Sequence, residues 1–351
     1  MKDAGHRDAV EAALNFERQD RIPVNNFALV TASRSAGILV KDSRSDPDVS
    51  ARVSIDYALK TRSDFVKPIL DSQIVFKDMR MDVVFPNDDY GSVRSKLVSS
   101  EKDVEDLAFF DPKKASECPM FSRCMIESLE KTSEILPEDL HICGLSWGPI
   151  TTAGYVMGVE DMIMALMMDQ EEMVRKLIMK CSDFVSLQQK AMLDAGATVM
   201  WMADPTSSED IISPDMFPMS ADGIKNVVSS VKKDFSDAHA FLHICGRTLD
   251  LIPDIRSTGA DCLSFDHAVD PGAARKKAGR DLALMGNIDP VKYMLQGNPK
   301  SVIDESYRII DACGRDGGFI LAPGCETPIA SPDENVIAMG MAGINYRRDC
   351  A

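Results

Sequence analysis

Short apolar runs alternate with helical patterns along most of this 351-residue chain. Eight runs of five or six mainly apolar residues predict β-strands, at residues 22–27, 64–69, 140–145, 199–203, 240–245, 262–266, 282–287 and 319–323. The later runs are separated by segments long enough for a helix. This spacing is typical of repeated βα units.

Helical patterns fill the intervals between the predicted strands. Apolar residues recur every three or four positions over 159–185, which predicts one long amphipathic helix. A similar pattern over about 8–18 precedes the first strand. Ser213-Pro214-Asp215 and Ser331-Pro332-Asp333 each predict a helix start, with Ser as the N-cap and Pro as the first helical residue.

Eight strands alternating with helices predict an α/β protein with a single (β/α)8 TIM barrel, a fold of roughly 250 residues. The surplus length is assigned to an N-terminal helical extension at about 1–20 and an insertion at about 70–137. No linker tract divides the chain, so one domain is expected over 1–351. The alternative, a doubly wound open sheet, would show a glycine-rich turn after its first strand, and the sequence has none there.

The composition narrows the set of partners. Fifty-five acidic residues outnumber 39 Lys and Arg, giving a formal charge of -16 that opposes binding to nucleic acid or to an anionic membrane surface. The longest uncharged stretch, 140–159, is interrupted by four glycines and a proline, so no membrane span is expected.

The cysteine and methionine content suggests a reducing location. The nine cysteines are odd in number and widely spaced, which favours free thiols over a disulfide framework. The start of the chain mixes both charges and lacks the apolar segment of a secretory signal. A cytoplasmic protein is therefore expected, and the 21 methionines fit an anaerobic setting.

Polar side chains end several predicted strands, where a barrel carries its chemistry. These residues are Asp204, His243, Cys245, Asp266, Asn287 and Cys325. His243 and Cys245 are two positions apart on a strand, so both should point inward at the rim. Cys325 follows the last strand, and Asp266 ends the strand expected beside that of His243.

One imidazole, two thiols and a displaceable carboxylate predict a four-coordinate zinc site. The proposed ligands are His243, Cys245 and Cys325, with Asp266 in the exchangeable position. Two thiolates neutralise the metal charge, so such a site suits a substrate thiol that must stay nucleophilic, whereas hydrolytic zinc favours several histidines. Asp204 and Asn287 are expected to orient substrate or metal ligands, although Asp204 could equally cap the following turn.

A structural role for these residues remains an alternative, since a cysteine on a buried strand is usually a small core residue. The chain also repeats the four residues His-Ile-Cys-Gly at 141–144, at what is predicted to be the end of another strand. A core role is favoured for this copy, so replacing Cys143 should leave the metal content unchanged. The copy at 243–246 is distinguished by Asp266 and Cys325.

These residues resemble the uroporphyrinogen decarboxylase superfamily, and within it the methylcobalamin:coenzyme M methyltransferases of methylotrophic methanogens. The resemblance rests on Ala203-Asp204-Pro205, Leu242-His243-Ile244-Cys245-Gly246 and Leu321-Ala322-Pro323-Gly324-Cys325, with flanking motifs at 17–24, 212–215 and 332–336. The zinc signature of the family, His-x-Cys followed far downstream by Cys, falls on His243, Cys245 and Cys325. Its further acidic ligand falls on Asp266.

The resemblance implies a TIM-barrel enzyme of one-carbon metabolism that works with a corrinoid protein. In such enzymes a zinc-bound thiolate takes the methyl group of methylcobalamin and leaves Co(I); related first-step enzymes pass a methyl group from a methoxylated or methylated donor to Co(I). Trp147 is expected to line the mouth that receives the corrinoid ring, with a core role equally open. Asp71 falls at about the pyrrole-binding aspartate of the decarboxylases.

The expected activity is methyl transfer from a corrinoid protein to a thiol such as coenzyme M, with homocysteine or tetrahydrofolate as other acceptors. The first-step direction is the alternative. A decarboxylase is disfavoured because residues 25–30 lack the arginines of those enzymes, and Pro323-Gly324-Cys325 replaces their Gly-His-Gly pattern. A corrinoid-protein-binding or metal-storage module without turnover is a further alternative of a different class.

Overall fold

A computed structural model describes residues 5–17, 21–68, 71–137 and 139–346. Parts of the predicted extension (1–4 and 18–20), residues 18–20 of the motif at 17–24, residue 69 of the second predicted strand and residue 70 of the insertion lie outside these ranges. The strands are β1 (Phe65–Val66), β2 (Val83–Val84), β3 (Ser92–Val93), β4 (His141–Trp147), β5 (Val199–Ala203), β6 (His239–Ile244), β7 (Cys262–Phe265), β8 (Ala283–Ile288) and β9 (Phe319–Pro323).

Helices occupy most of the remaining described residues. The α-helices are α1 (His6–Leu14), α2 (Val30–Ser35), α3 (Val40–Ser45), α4 (Pro47–Lys60), α5 (Ile74–Asp78), α6 (Glu101–Asp106), α7 (Pro119–Phe121), α8 (Glu127–Ile135), α9 (Pro149–Met157), α10 (Val159–Met167), α11 (Glu171–Asp194), α12 (Phe217–Asp234), α13 (Ile252–Ser257), α14 (Pro271–Ala278), α15 (Pro299–Cys313) and α16 (Asp333–Asn345). Short 3-10 segments lie at Pro205–Ser207 and Pro214–Met216, and π-helical turns at Ser122–Ile126 and Pro290–Leu295.

Seven parallel strands form one curved sheet in the order β1-β4-β5-β6-β7-β8-β9. The segment around Val24 fills the gap between β9 and β1: it pairs with Leu321, and its carbonyl accepts a hydrogen bond from Asp64 N at 2.8 Å. The predicted first strand, 22–27, therefore occupies the eighth position, but within the described ranges it makes only this single bridge. Pro23 has no N–H to donate, and the N–H of Val24 is taken by the Asp64 carboxylate at 2.7 Å. The predicted α/β barrel is confirmed.

Aromatic side chains fill the barrel interior. Trp201 on β5 and Phe241 on β6 are fully buried, and the Phe241 ring lies 5.7 Å from that of Phe65 on β1. Phe27 lies 5.0 Å from Trp201 and 4.9 Å from the His243 ring. This layer of aromatic side chains lies below the polar residues at the carboxyl ends of the strands, which form the upper rim of the barrel.

Several predicted boundaries are wrong in detail. The single helix predicted over 159–185 is two helices, α10 and α11, because Asp169 adopts a positive φ of 59° that ends the first. Apolar periodicity continues across a short break, so the pattern alone could not reveal it. The N-cap prediction also fails at the last start, where α16 begins at Asp333 and Pro332 is the capping residue; neither predicted serine makes a side-chain cap bond.

The predicted insertion runs between two barrel strands that are neighbours in space, β1 and β4. Its described part holds α5 to α8 and a small antiparallel hairpin of β2 and β3. The assigned limits of extension, insertion and single domain remain predictions. Across the described residues, no single helix has the length and apolarity to span a membrane; the pair α9 and α10 passes that test only jointly, with a bend of 97°.

Candidate metal centre

The carboxyl ends of β6 and β9 bring three predicted ligands together. His243 lies near the end of β6, Cys245 directly follows that strand, and Cys325 lies two residues beyond β9. The Cys325 thiol interacts with both the Cys245 thiol and the His243 imidazole, each of which shifts its pKa. Cys325 thus links the residues at the end of β6 to the loop after β9.

The two thiols differ in how readily each loses its proton. The hydrogen bond from Cys325 lowers the pKa of Cys245, and the same bond, with burial, raises the pKa of Cys325 to about 12. Cys245 therefore becomes a thiolate first. The candidate ligand atoms of this set are not all within 4.8 Å of one another. Within the described ranges, only one group of three His, Cys or acidic residues meets that limit, and it is a different group. A metal would draw this set closer together.

The His243 ring is held in a defined orientation. The side chain is only 4% exposed, and its Nδ1 lies 3.0 Å from Ser264 Oγ on the adjacent strand β7. His243 and Ser264 are direct partners in the parallel register. Anchoring Nδ1 leaves Nε2 for a metal, which is the usual way that proteins orient a ligating histidine.

Asp266 directly follows β7, and one of its oxygens is already hydrogen-bonded. Its negative charge opposes the lowering of the Cys245 pKa that Cys325 causes. Oδ1 accepts a hydrogen bond from Ala268 N at 2.9 Å and lies 2.7 Å from His267 Nδ1. A metal would therefore be bound through Oδ2. Gly324 permits this approach, because a Cβ there would lie 2.5 Å from the backbone nitrogen of His267.

Asn287 fixes the loop that carries Asp266. Its Nδ2 donates to the carbonyl oxygens of Asp266 at 3.0 Å and Val269 at 2.7 Å. Its Oδ1 is buried and, among the described atoms, has no hydrogen-bond partner. The side chain thus positions a candidate ligand from the β8 side of the rim.

The hydrogen bonds described for Asp204 connect it to a helix and not to the cysteines. The side chain is fully buried, and Oδ1 accepts a hydrogen bond from Thr151 N at 2.8 Å in the first turn of α9. Burial raises its pKa to about 6. Gly148 is required there, since a Cβ would lie 2.3 Å from Asp204 Cγ. Asp204 therefore ties the end of β5 to the start of α9.

Trp147 is the last residue of β4, and Asp71 lies after β1. The Trp147 ring is partly exposed and lies 5.5 Å from that of Tyr155. Asp71 is fully buried, 2.9 Å from Arg44 Nε, and accepts a hydrogen bond from Gly91 N at 2.8 Å. The Asp71 carboxylate is thus already occupied by groups of the protein itself.

The second His-Ile-Cys-Gly copy begins a strand instead of ending one, so that part of the prediction is wrong. β4 starts at His141 and continues to Trp147, which places this copy at the opposite end of the barrel. The apolar pattern seemed to stop early because Gly144 and Ser146 lie within the strand. Burial raises the pKa of Cys143 to about 12 and lowers that of His141 to about 3.

A buried lysine beside the site was not predicted from the sequence. Lys67 directly follows β1, is 5% exposed, and donates from Nζ to Asn25 Oδ1 at 2.7 Å. Burial lowers its pKa to about 8, and it interacts with Cys143 on β4 and with Glu326, the neighbour of Cys325. Asn25 Nδ2 is buried with no partner among the described atoms. The available signal was a charged residue inside a predicted buried strand.

A parallel barrel with His, Cys and Asp side chains at the carboxyl ends of its strands is the architecture of a TIM-barrel enzyme. The chain belongs to the uroporphyrinogen decarboxylase (URO-D) family, whose model matches residues 6–344. The family predicted from the sequence motifs is thereby confirmed.

Two relatives carry methyltransferase names. The chain is 29% identical over 223 residues to the methylcobamide:CoM methyltransferase MtbA of Methanosarcina acetivorans, covering 64% of this chain and 63% of that protein. It is 31% identical over 199 residues to a methylated-thiol--coenzyme M methyltransferase of Methanosarcina mazei, covering 57% and 52%. The chain thus matches less than two thirds of the length of these relatives.

A solved structure shares the fold over almost the whole chain. It is a methyltransferase from Methanosarcina mazei, with a TM-score of 0.81 and 21% identity, covering 97% of this chain and 98% of that one. At this identity the match establishes the barrel and its connectivity.

Proposed function

We propose that this protein is a zinc-dependent methyltransferase that moves a methyl group from the cobalt of a corrinoid protein to a thiol such as coenzyme M. The observation that carries the proposal is that β6 and β9 bring His243, Cys245 and Cys325 to the same end of the barrel, where Cys325 interacts with both other residues. The methyltransferase names of the relatives support the same activity.

The residues at the rim fit zinc by their donor types. His243, Cys245 and Cys325 would hold the ion, and Asp266 would take the position that the substrate thiol later displaces. When bound, zinc would lower the pKa of that thiol and keep its sulfur nucleophilic. Two thiolates and a neutral imidazole balance the dication, and Ser264 orients the imidazole. Loading must release protons from the cysteines, with Cys245 ionising first.

Lys67 and Asn25 are suited to the anionic end of the acceptor. Lys67 Nζ donates to Asn25 Oδ1, and Asn25 Nδ2 is a buried donor with no partner among the described atoms. A sulfonate or carboxylate oxygen would accept from Asn25 Nδ2 and from a further N–H of Lys67. This arrangement would orient the acceptor with its sulfur toward Cys325. As the methyl group passes to that sulfur, both electrons of the cobalt–carbon bond remain on cobalt, and the thiol proton leaves to solvent.

Trp147 with Tyr155 provides apolar surface after β4 for a corrinoid ring. The decarboxylase alternative is weakened by Asp71, whose carboxylate is paired with Arg44 instead of being open to a pyrrole. A cytoplasmic location is part of the proposal because the eight described cysteines are all free thiols.

An anaerobic absorbance assay tests the proposal. Methyl-Co(III) corrinoid protein is mixed with the enzyme and coenzyme M, homocysteine or tetrahydrofolate. We expect methyl-Co(III) to disappear and Co(I) to form, with stoichiometric S-methyl coenzyme M. If only the reverse mixtures react, with methoxylated aromatics, methylamines or methanol and Co(I), the first-step direction holds. Zinc binding without turnover in any mixture would indicate a non-catalytic module.

A further inference from the structure

The floor of the barrel, at the amino ends of its strands, carries a second cluster that the proposed function does not use. His141 is the first residue of β4, His239 is the first residue of β6, and Glu11 lies on α1. One ligand atom from each residue can be chosen so that all three lie within 4.8 Å of one another. Three separate elements therefore converge on one point.

His141 brings a buried nitrogen that lacks a partner among the described atoms. The side chain is 2% exposed, and its Nδ1 lies 3.0 Å from Thr198 Oγ1. Its Nε2 is buried and has no hydrogen-bond partner among the described atoms. Such an unpaired polar atom is costly, and a bound cation would satisfy it. With Nδ1–H donated to Thr198, Nε2 carries the lone pair that a metal requires.

The other two groups complete the donor set. His239 Nε2 lies 2.5 Å from Glu11 Oε1, and the His239 ring is edge-on to that of His141 with centroids 5.7 Å apart. Both groups are partly exposed, at 19% for His239 and 45% for Glu11. They adjoin a surface cleft of about 420 Å³ that is also lined by Asn15, Phe16, Arg280 and Asp281. An ion can therefore enter from solvent.

We propose that Glu11, His141 and His239 bind a divalent transition-metal ion, with zinc expected. Two imidazoles and one carboxylate form a common zinc donor set in which a fourth position stays open. That position would face the cleft. The bound ion would join α1 to the starts of β4 and β6 and so hold the N-terminal helix against the barrel.

This floor site is separate from the centre at the upper rim. β4 has six residue steps between His141 and Trp147, which corresponds to about 20 Å along the strand. The two sites also differ in donors, since the floor site contains no sulfur. Each can be removed by substitution without touching the ligands of the other.

A cobalt titration separates the two sites. The double variant Cys245→Ser with Cys325→Ser is stripped with chelator and titrated anaerobically with Co²⁺. We expect one equivalent bound, with d–d absorption and no sulfur-to-cobalt charge-transfer band. Adding Glu11→Gln, or separately His239→Gln, should weaken Co²⁺ binding at least tenfold. Asp281→Asn, which removes a carboxylate from the same cleft, should leave the affinity unchanged.

The wild-type chain gives a second measurement if the double variant does not fold. It should bind two equivalents of Zn²⁺ by elemental analysis after dialysis, and Glu11→Gln should bind one. Zinc should also raise the melting temperature of the double cysteine variant, and this rise should be absent in Glu11→Gln. No binding by the double variant, or equal losses in Glu11→Gln and Asp281→Asn, would mean that His239 and Glu11 form only a hydrogen-bonded pair.

Discussion

Cys325 is the residue on which the candidate centre depends, because it interacts with both other proposed ligands. Cys325→Ala should lower zinc affinity by more than about 100-fold and abolish methyl transfer. Losing a direct ligand weakens metal binding more than losing a residue that only orients a ligand. Elemental analysis with the corrinoid assay measures both effects in one preparation. The folded state should persist, since Cys325 is partly exposed in a rim loop.

Cys143→Ala is the matched control, because it removes a thiol from the other His-Ile-Cys-Gly copy. Cys143 is fully buried within β4 at the far end of the barrel. Its replacement should leave the zinc content of the rim unchanged. Loss of rim zinc in Cys143→Ala, or full zinc in Cys325→Ala, would contradict the assignment.

Lys67 gives the acceptor-binding proposal a pH dependence. Burial lowers its pKa to about 8, so the charge that would attract an anionic thiol is lost as the pH rises through that value. The KM for coenzyme M should therefore increase above about pH 8 in the wild-type enzyme. In Lys67→Met it should be raised at lower pH as well, by roughly 10- to 100-fold, with kcat little changed.

Two comparisons control for other effects of this substitution. A neutral thiol such as 2-mercaptoethanol should show the same KM with wild type and Lys67→Met. Lys190→Met removes a lysine that pairs with Asp234 on the outer helices and should not alter the KM. An equal loss for charged and neutral thiols would show that Lys67 acts only in packing.

The sequence indicated the ligands but not their surroundings. His243 and Cys245 are two apart in a strand, and Cys325 follows another, so their convergence could be predicted from strand periodicity. Ser264 and Asn25 reach the site through pairing between distant segments, which no local pattern records. Lys67 was visible only as a charge within an apolar run.

At the scale of elements, Asp204 joins β5 to the first turn of α9. Its pKa of about 6 lies above that of an exposed aspartate because of burial. The folded state therefore holds the proton more tightly, and wild-type stability should fall as the pH rises from about 4 to about 6. The isosteric Asp204→Asn should remove this loss, worth up to about 3 kcal/mol.

Urea unfolding at several pH values from 4 to 7 measures this difference. The stability of Asp204→Asn relative to wild type should rise across that range. Asp222→Asn, which removes a carboxylate 62% exposed on α12, should follow the wild-type curve. Parallel curves for wild type and Asp204→Asn would show that Asp204 is not held in a desolvated environment.

The limits of helices and strands were predicted best where the buried residues follow a simple pattern along the sequence. β5 and β9 match their predicted limits because both are continuous buried apolar runs. The break at Asp169 was missed because one left-handed residue leaves the helical period almost intact on either side. The start of β4 was assigned correctly to within a residue, but its end was placed too early.

The architecture of the whole molecule follows from alternation of strand and helix patterns with no Gly-rich nucleotide turn. The closure of the barrel did not follow from these patterns. The segment near Val24 closes the gap through bonds to Leu321 and Asp64, and it lacks a strand ladder because of Pro23. Local propensity could predict an extended segment there, whereas its neighbours are set by the closed geometry.

The two metal centres proposed for the molecule must be separated before either is characterised. Glu11→Gln should empty the floor site and leave the rim site loaded, since the substituted residue lies on α1 at the opposite end of the barrel. This variant therefore provides a preparation in which all zinc belongs to the rim.

X-ray absorption at the zinc edge of Glu11→Gln, prepared without oxygen, tests the central claim directly. The account predicts one zinc per chain with two sulfur neighbours at about 2.3 Å and nitrogen or oxygen neighbours at about 2.0–2.2 Å. A zinc with no sulfur neighbour, or with a single one, would contradict the joint binding by Cys245 and Cys325.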